Sequence, residues 1–365
     1  MKNRNLKTTA LCLLTISLCC FQIEAQPVLQ LRFPFTDPPG STTTSSDTVL
    51  GTIDVSLDMT IDGTTPGDLH GALGTAPDNK SRSLDMTTNT VPAQDDTQPG
   101  NSQNPSAAVS TANNPALAAL GQSGTISNFV CTFWMNSALG LATGNGARIF
   151  ILGPDDVSAN TYNGAGVFSI RWYSDSTIPN NEFALWFGGG SDIIFGLPFN
   201  VPTNQWLFVA ISWDGQNQPA AYWGTQTNSA TPMSLVSGSL APGSELPMGD
   251  TPSLVIGNQG SNWGRSLNGK LSDVRFYNGG TTNLSFIESV RLAGAPPLAL
   301  PPSRINFSFA SSKLSLSWSN GLGILLSGTN VALPPSQWVP MVTNPPMPYV
   351  ITISPSTPQT FFKAK

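Results

Sequence analysis

Few residues in this sequence are equipped for acid–base or metal chemistry, and their spacing decides which reactions are open. Its one histidine, His70, stands in "GDLHGALG", which reads as a turn. A Ser-His-Asp triad would have to be built on that imidazole. Zinc chemistry would have only His70 and Cys131 to draw on, because Cys12, Cys19 and Cys20 fall in an N-terminal leader described below. Cleaving a sugar bond with retention needs two carboxyl groups facing each other about 5 Å apart. Beyond the leader the glutamates are Glu182, Glu245 and Glu288, widely separated along the chain. "TIDVSLDMTID" spaces Asp54, Asp58 and Asp62 four apart, on one face of a strand. Gly51 and Gly63 bound that segment, which reads as a solvated or metal-touching edge rather than a reaction centre. No catalytic residue is assigned, and the chain is expected not to be an enzyme.

Other polar positions carry binding or structural readings. In "GKLSDVRFYNGG", Asp273 and Arg275 sit two apart, so they are neighbours on one face of a strand. A carboxylate beside a guanidinium on a covered sheet satisfies both through charge-assisted bonds, so the pair is expected to hold the fold. Calcium prefers oxygen ligands, and Asp155, Asp156 and Asp192 are its candidates, without the dense pattern of an EF-hand loop. Calcium is therefore a candidate cofactor with its ligands unassigned. Sugars stack their C–H faces on flat aromatic rings, and the nine tryptophans supply such surfaces beside abundant Asn and Gln. Trp172, Tyr173, Trp186, Trp263 and Asn262 are the candidate ligand-binding residues, at strand ends or in loops such as "WYSDS" and "GNQGSNWGRS".

The elements that must position these residues are short and numerous. Apolar or alternating runs separated by Gly, Pro, Asn and Asp predict strands over 28–33, 129–135, 148–152, 167–173, 182–187, 206–213, 220–223, 253–256 and 270–277. One helix is predicted over 282–294, ending at Gly294 before Pro296 and Pro297. The stretch 92–122, rich in Ala, Asn, Ser and Pro, reads as a long surface loop inserted in the domain. After a Pro-rich linker over 296–302, further strand-like runs such as "KLSLSWS" and "YVITISP" predict a small β-module over 303–365. The fold class is all-β: a two-sheet antiparallel jelly-roll sandwich plus that module.

Composition narrows the partners. Charged residues make up 10% of the chain and the formal charge is −5, with no Lys/Arg cluster beyond the N-terminus. Nucleic acid needs a basic surface and is excluded. Lys2, Arg4 and Lys7 precede the apolar run "ALCLLTISLCCF", and "IEA" precedes Gln26. This is the anatomy of a secretory signal, too short to span a bilayer, with cleavage expected after Ala25. Acylation at Cys19 or Cys20 is disfavoured by the bulky Leu18. Cys131, in "NFVCTFWMN", is then the one remaining thiol and reads as a buried small hydrophobe.

Taken in order, several segments resemble the LamG-like jelly-roll family of the concanavalin A-like lectin/glucanase superfamily. "VLQLRFPFTD" resembles its opening strand, "GDLHGALG" its Asn-His-Gly turn, and "SRSLDMTTN" the strand that follows. "NQWLFVAISWDG" is similar to its Trp-x-His-Val-Ala-x-Thr-Tyr-Asp-Gly strand, with Phe208 where His is usual. "LNGKLSDVRFYNGGTTNLSFIESVRLAG" is similar to its closing strand and terminal helix. The resemblance covers about 28–294 and implies inward positions for Trp206 and Trp213. It also implies a binding role, toward a glycan or an extracellular protein, with no membrane span in the mature chain. The C-terminal stretch resembles small β-modules appended to exported bacterial proteins. Two rival readings stand beside it: a polysaccharide-active enzyme, and a structural envelope or adhesion component.

Overall fold

The computed structural model describes residues 26–46, 53–58, 67–87, 107–109, 115–138, 147–153, 167–173, 182–249, 252–258, 267–295, 305–310, 313–318, 324–328, 338–343, 349–352 and 361–364. The chain divides into two compact units between Pro296 and Pro297.

In the first unit the chain begins with β1 (Val28–Phe33), β2 (Thr43–Ser46), β3 (Ile53–Asp58), β4 (Leu84–Asp85) and β5 (Ala107–Val109). A short helix α1 (Pro115–Ala118) follows, then β6 (Thr125–Ile126), β7 (Phe129–Ser137) and β8 (Ala147–Gly153). Next come β9 (Phe168–Tyr173), β10 (Glu182–Phe187), β11 (Ile193–Gly196), β12 (Trp206–Trp213) and β13 (Ala220–Thr225). The unit ends with β14 (Thr231–Pro232), β15 (Ser234–Ser237), β16 (Leu246–Pro247), β17 (Ser253–Ile256), β18 (Gly269–Asn278) and helix α2 (Leu284–Gly294).

These strands build two large antiparallel sheets. One has the order β1-β18-β7-β12-β13-β14, with β4 added at β18, and the other runs β15-β11-β10-β9-β8-β17-β5-β3-β2. Alternation sends Phe129, Cys131, Phe133 and Met135 of β7 and Leu207, Val209, Ile211 and Trp213 of β12 into the space between them. Phe168, Ile170 and Trp172 of β9 and Phe183, Leu185 and Phe187 of β10 meet them from the other sheet. The Phe168 ring stands edge-on to Phe129 at 4.8 Å and to Phe276 at 5.6 Å, locking the sheets together. The architecture is a two-sheet jelly-roll sandwich.

The seven-stranded sheet is covered on its second face too. Val130, Trp134, Phe208, Tyr222 and Tyr277 pack there against Ile287 and Val290 of α2. Double coverage explains why β7 and β12 read as continuous apolar runs. Asn283 caps α2 by accepting from the backbone N–H groups of Ser285 and Phe286. The helix thus starts two residues later than the sequence pattern suggests.

One expectation is corrected here. Within 92–122, Ala107–Val109 form β5, an interior strand between β17 and β3, and Leu117 and Leu120 are fully buried. Three residues of "AAV" are too short to show a period, so the stretch read as surface loop contributes to a sheet and to the core.

The second unit holds β19 (Ile305–Ala310), β20 (Lys313–Trp318), β21 (Ile324–Gly328), β22 (Val339–Thr343), β23 (Tyr349–Thr352) and β24 (Phe361–Ala364). They form two three-stranded sheets, β19-β20-β23 and β22-β21-β24. Leu316 is its buried centre, with Leu314, Tyr349, Ile351 and Phe362 around it. The strand "INFSFA" was not among those anticipated from the sequence. Among the described residues no helix is long and apolar enough to cross a membrane.

Candidate functional site

The polar residues best placed for binding lie on the outer face of the nine-stranded sheet. In β9, Phe168, Ile170 and Trp172 face the core, so Ser169 and Arg171 face outward. Register carries that face sideways: Arg171 pairs with Arg148 of β8 and with Ala184 of β10, and Ser169 pairs with Trp186. A β-bulge between Arg148 and Phe150 keeps Phe150 inward while Arg148 stays on the outer face. Arg148, Arg171 and Glu182 are 1%, 6% and 4% exposed, an unusual depth for three charged residues on one sheet face.

Arg171 is held on two sides. Its Nη1 donates to Asp192 Oδ2 at 3.0 Å, and its guanidinium lies 5.0 Å from the centre of the Trp186 ring. Asp192 comes from the β10–β11 hairpin, whose glycines Gly188 and Gly189 take positive φ values of 65° and 85°. Such turns favour Gly, and they bring the carboxylate back over β9. The two arginines and two carboxylates sum to zero charge. Arg148, Arg171 and Glu182 are nearly closed to solvent, so the surface left to a ligand here is the half-buried Trp186 indole, a flat face of the kind that stacks on a sugar ring.

The sequence-selected residues fare unevenly. Trp172 is corrected: it is 1% exposed and packs in the core, because it shares the parity of Phe168 and Ile170. Tyr173 pairs with Glu182 through its backbone, and its side chain lies outside the described residues. Trp186 is in the cluster. Trp263 and Asn262 lie outside the described residues, as do Asp155, Asp156 and Asp62. Trp206 and Trp213 are buried. Asp192 is committed to Arg171, and Asp54 is exposed, accepting from the Ser45 hydroxyl. Among the described residues no group of three or more His, Cys, Asp or Glu is arranged to hold a metal. Arg148 and Arg171 were missed, although the alternation of "FSIRWY" already separates Arg171 from Trp172.

Asp273 and Arg275 answer to the fold. Arg275 donates to both carboxylate oxygens of Asp273, at 2.9 and 2.6 Å, and Arg32 of β1 donates to the same group at 2.9 Å. A bulge between Ser272 and Arg275 places Asp273 at φ 49°, and Asp273 and Arg275 are nearly closed to solvent while Arg32 is partly exposed. It ties β1 to β18 under the end of α2.

Other carboxylates are similarly committed. Glu288 receives Arg291, which holds its carboxyl below the usual range. Asp68, Asp78, Asp85 and Asp214 are partly desolvated, which opposes ionisation, but hydrogen bonds outweigh that and also lower them. Burial pushes the Cys131 thiol far up, away from the thiolate a nucleophile needs.

The class defined by these observations is an all-β, two-sheet antiparallel jelly roll carrying a charged and aromatic cluster on its outer face. No protein-family model matches the chain, and no curated protein does. Among solved structures, 48% of the chain aligns with 74% of a SAP-like pentraxin from Limulus polyphemus, at 17% identity and a TM-score of 0.35. Domain 4 of AbnA, a GH43 extracellular arabinanase from Geobacillus stearothermophilus, aligns over 99% of its length with 73% of this chain (13% identity, TM-score 0.33). The receptor binding domain of botulinum neurotoxin type G aligns over 64% of its length with 84% of this chain (10% identity, TM-score 0.38). At such scores the fold rests on the sheets themselves.

Proposed function

We propose that this is an exported, non-catalytic binding protein whose LamG-type jelly roll recognises an extracellular glycan. The observation that carries the reading is the half-buried Trp186 ring on the outer sheet face, held in place by the Arg171 guanidinium 5.0 Å from its centre. An indole immobilised by a guanidinium is pre-organised to stack on a sugar face, and pre-organisation reduces the entropy lost on binding. The commitment of Asp273, Glu288 and Asp192 to arginines supports the non-catalytic part, since a general acid needs a raised carboxyl rather than a lowered or paired one.

A glycan array probed with the secreted chain and with Trp186→Ala tests this. Binding to at least one glycan class, weakened about tenfold or more in the variant, is the expected result. Circular dichroism of the variant must remain that of the parent. Silence across the array favours a scaffolding or protein-binding role. Reducing-sugar release abolished by a single Asp substitution would overturn the non-catalytic reading. The mass of the secreted chain should begin at Gln26.

A further inference from the structure

The His70 side chain is closed to solvent, and each ring nitrogen faces a carboxylate. Nδ1 lies 2.9 Å from Asp68 Oδ1, and Nε2 lies 3.2 Å from Asp37 Oδ2. Asp68 is already supplied with donors: the His70 backbone N–H at 2.9 Å on Oδ1 and the Gly40 N–H at 2.5 Å on Oδ2. These bonds outweigh its desolvation and hold its carboxyl below the usual range. Asp68 is therefore an acceptor, and Nδ1 must donate to it. At the far nitrogen, Asp37 Oδ2 also accepts the Thr44 hydroxyl, at 2.5 Å. A bare lone pair on Nε2 would face an acceptor oxygen, so this contact is favourable only with a proton between them.

We propose that Asp37, His70 and Asp68 form a proton-operated clasp, closed when the ring carries both N–H groups and released when it loses one. Its location gives the clasp something to hold. Asp37 lies in the connection from β1, on the edge of the seven-stranded sheet, to β2, on the edge of the nine-stranded one. His70 bridges to Leu84 of β4, which is paired to β18. The imidazole thus fastens the crossover between the sheets to the seven-stranded sheet. The neutral Thr44 faces it from β2. Among the described residues the flanking charges are Arg82, donating to the Gly71 carbonyl, Asp85, paired with Lys270, and Asp78 with Lys80 in the next turn.

The clasp's contribution is present while the ring carries both N–H groups and is lost when rising pH removes one.

Because the chain has a single histidine, nitrogen NMR of the tag-free protein reads this ring alone. Two protonated ring nitrogens are expected while the clasp is closed, and one after titration with base has opened it. Over the same interval, protection factors of the Gly40 and Thr43–Ser46 amides should fall about tenfold, and His70→Gln should show no such fall. A ring with one N–H throughout, or the same fall in His70→Gln, would overturn the proposal. Asp37→Asn covers the case in which His70→Gln does not fold. It must move the ring's proton loss to lower pH, and an unmoved midpoint sinks the clasp.

Discussion

At the scale of single residues, Asp273 joins a left-handed backbone to a buried charge. Its φ of 49° lies in the left-handed region that Asp and Asn tolerate better than most side chains. Its carboxylate is shared by Arg275, buried beneath it, and by the half-exposed Arg32. Asp273→Ala removes the counter-charge of a buried guanidinium and strains the bulge together. The expected loss is about 3–5 kcal/mol, read as a lowered urea midpoint. Asp273→Asn keeps the backbone preference and one acceptor oxygen for the arginines, so its loss should be smaller. The sequence disclosed the Asp–Arg pairing through its spacing. It did not disclose the bulge, because strict alternation assumes a regular strand and the extra residue is absorbed opposite Phe133.

At the scale of elements, helix α2 is seated by its last residue. A Cβ on Gly294 would lie 2.6 Å from Asp273 Oδ2 and 2.6 Å from Trp134 Nε1. Both neighbours are buried and fixed, so Gly294→Ala must lift the helix end or displace the carboxylate. We expect a loss of about 1–3 kcal/mol, checked by thermal melting, with increased exchange of the β18 amides around the bulge. Much of the element plan was legible: β1, β10, β12 and β17 occupy the ranges that their apolar runs suggested. What escaped was short or required parity. β5 is three residues long and takes its meaning from strands on either side of it. Trp172 was chosen for its chemistry, while the Phe168–Ile170 rhythm two and four residues earlier turns it inward. Part of the candidate site was legible by the same rule, since Arg171 and Trp186 sit opposite the core-facing positions of their strands. The Asp192 contact was not, because it depends on a glycine hairpin that folds back.

At the scale of the whole molecule, carboxylates govern the response to acid. Asp68, Asp78, Asp85, Asp214 and Glu288 are all held below their ordinary values, so the folded state binds fewer protons than the unfolded chain. Their stabilisation is present above about pH 4–5 and is lost as pH falls through the lowered values. Each group is at least partly solvated, so each contribution is small and their sum is what is observed. Denaturant midpoints should decline steadily below about pH 4. Glu288→Gln should flatten part of that decline. The strand pairing order carries a consequence for how the chain comes to exist. β1 lies beside β18, so the first strand finds its neighbour some 240 residues later, and α2 arrives after that to cover Trp134 and Phe208. A nascent polypeptide stalled anywhere before Asn278 leaves the edge of β1 without its partner. Compaction of this sandwich must therefore await β18, and until then its greasy strands stay open to unwanted association.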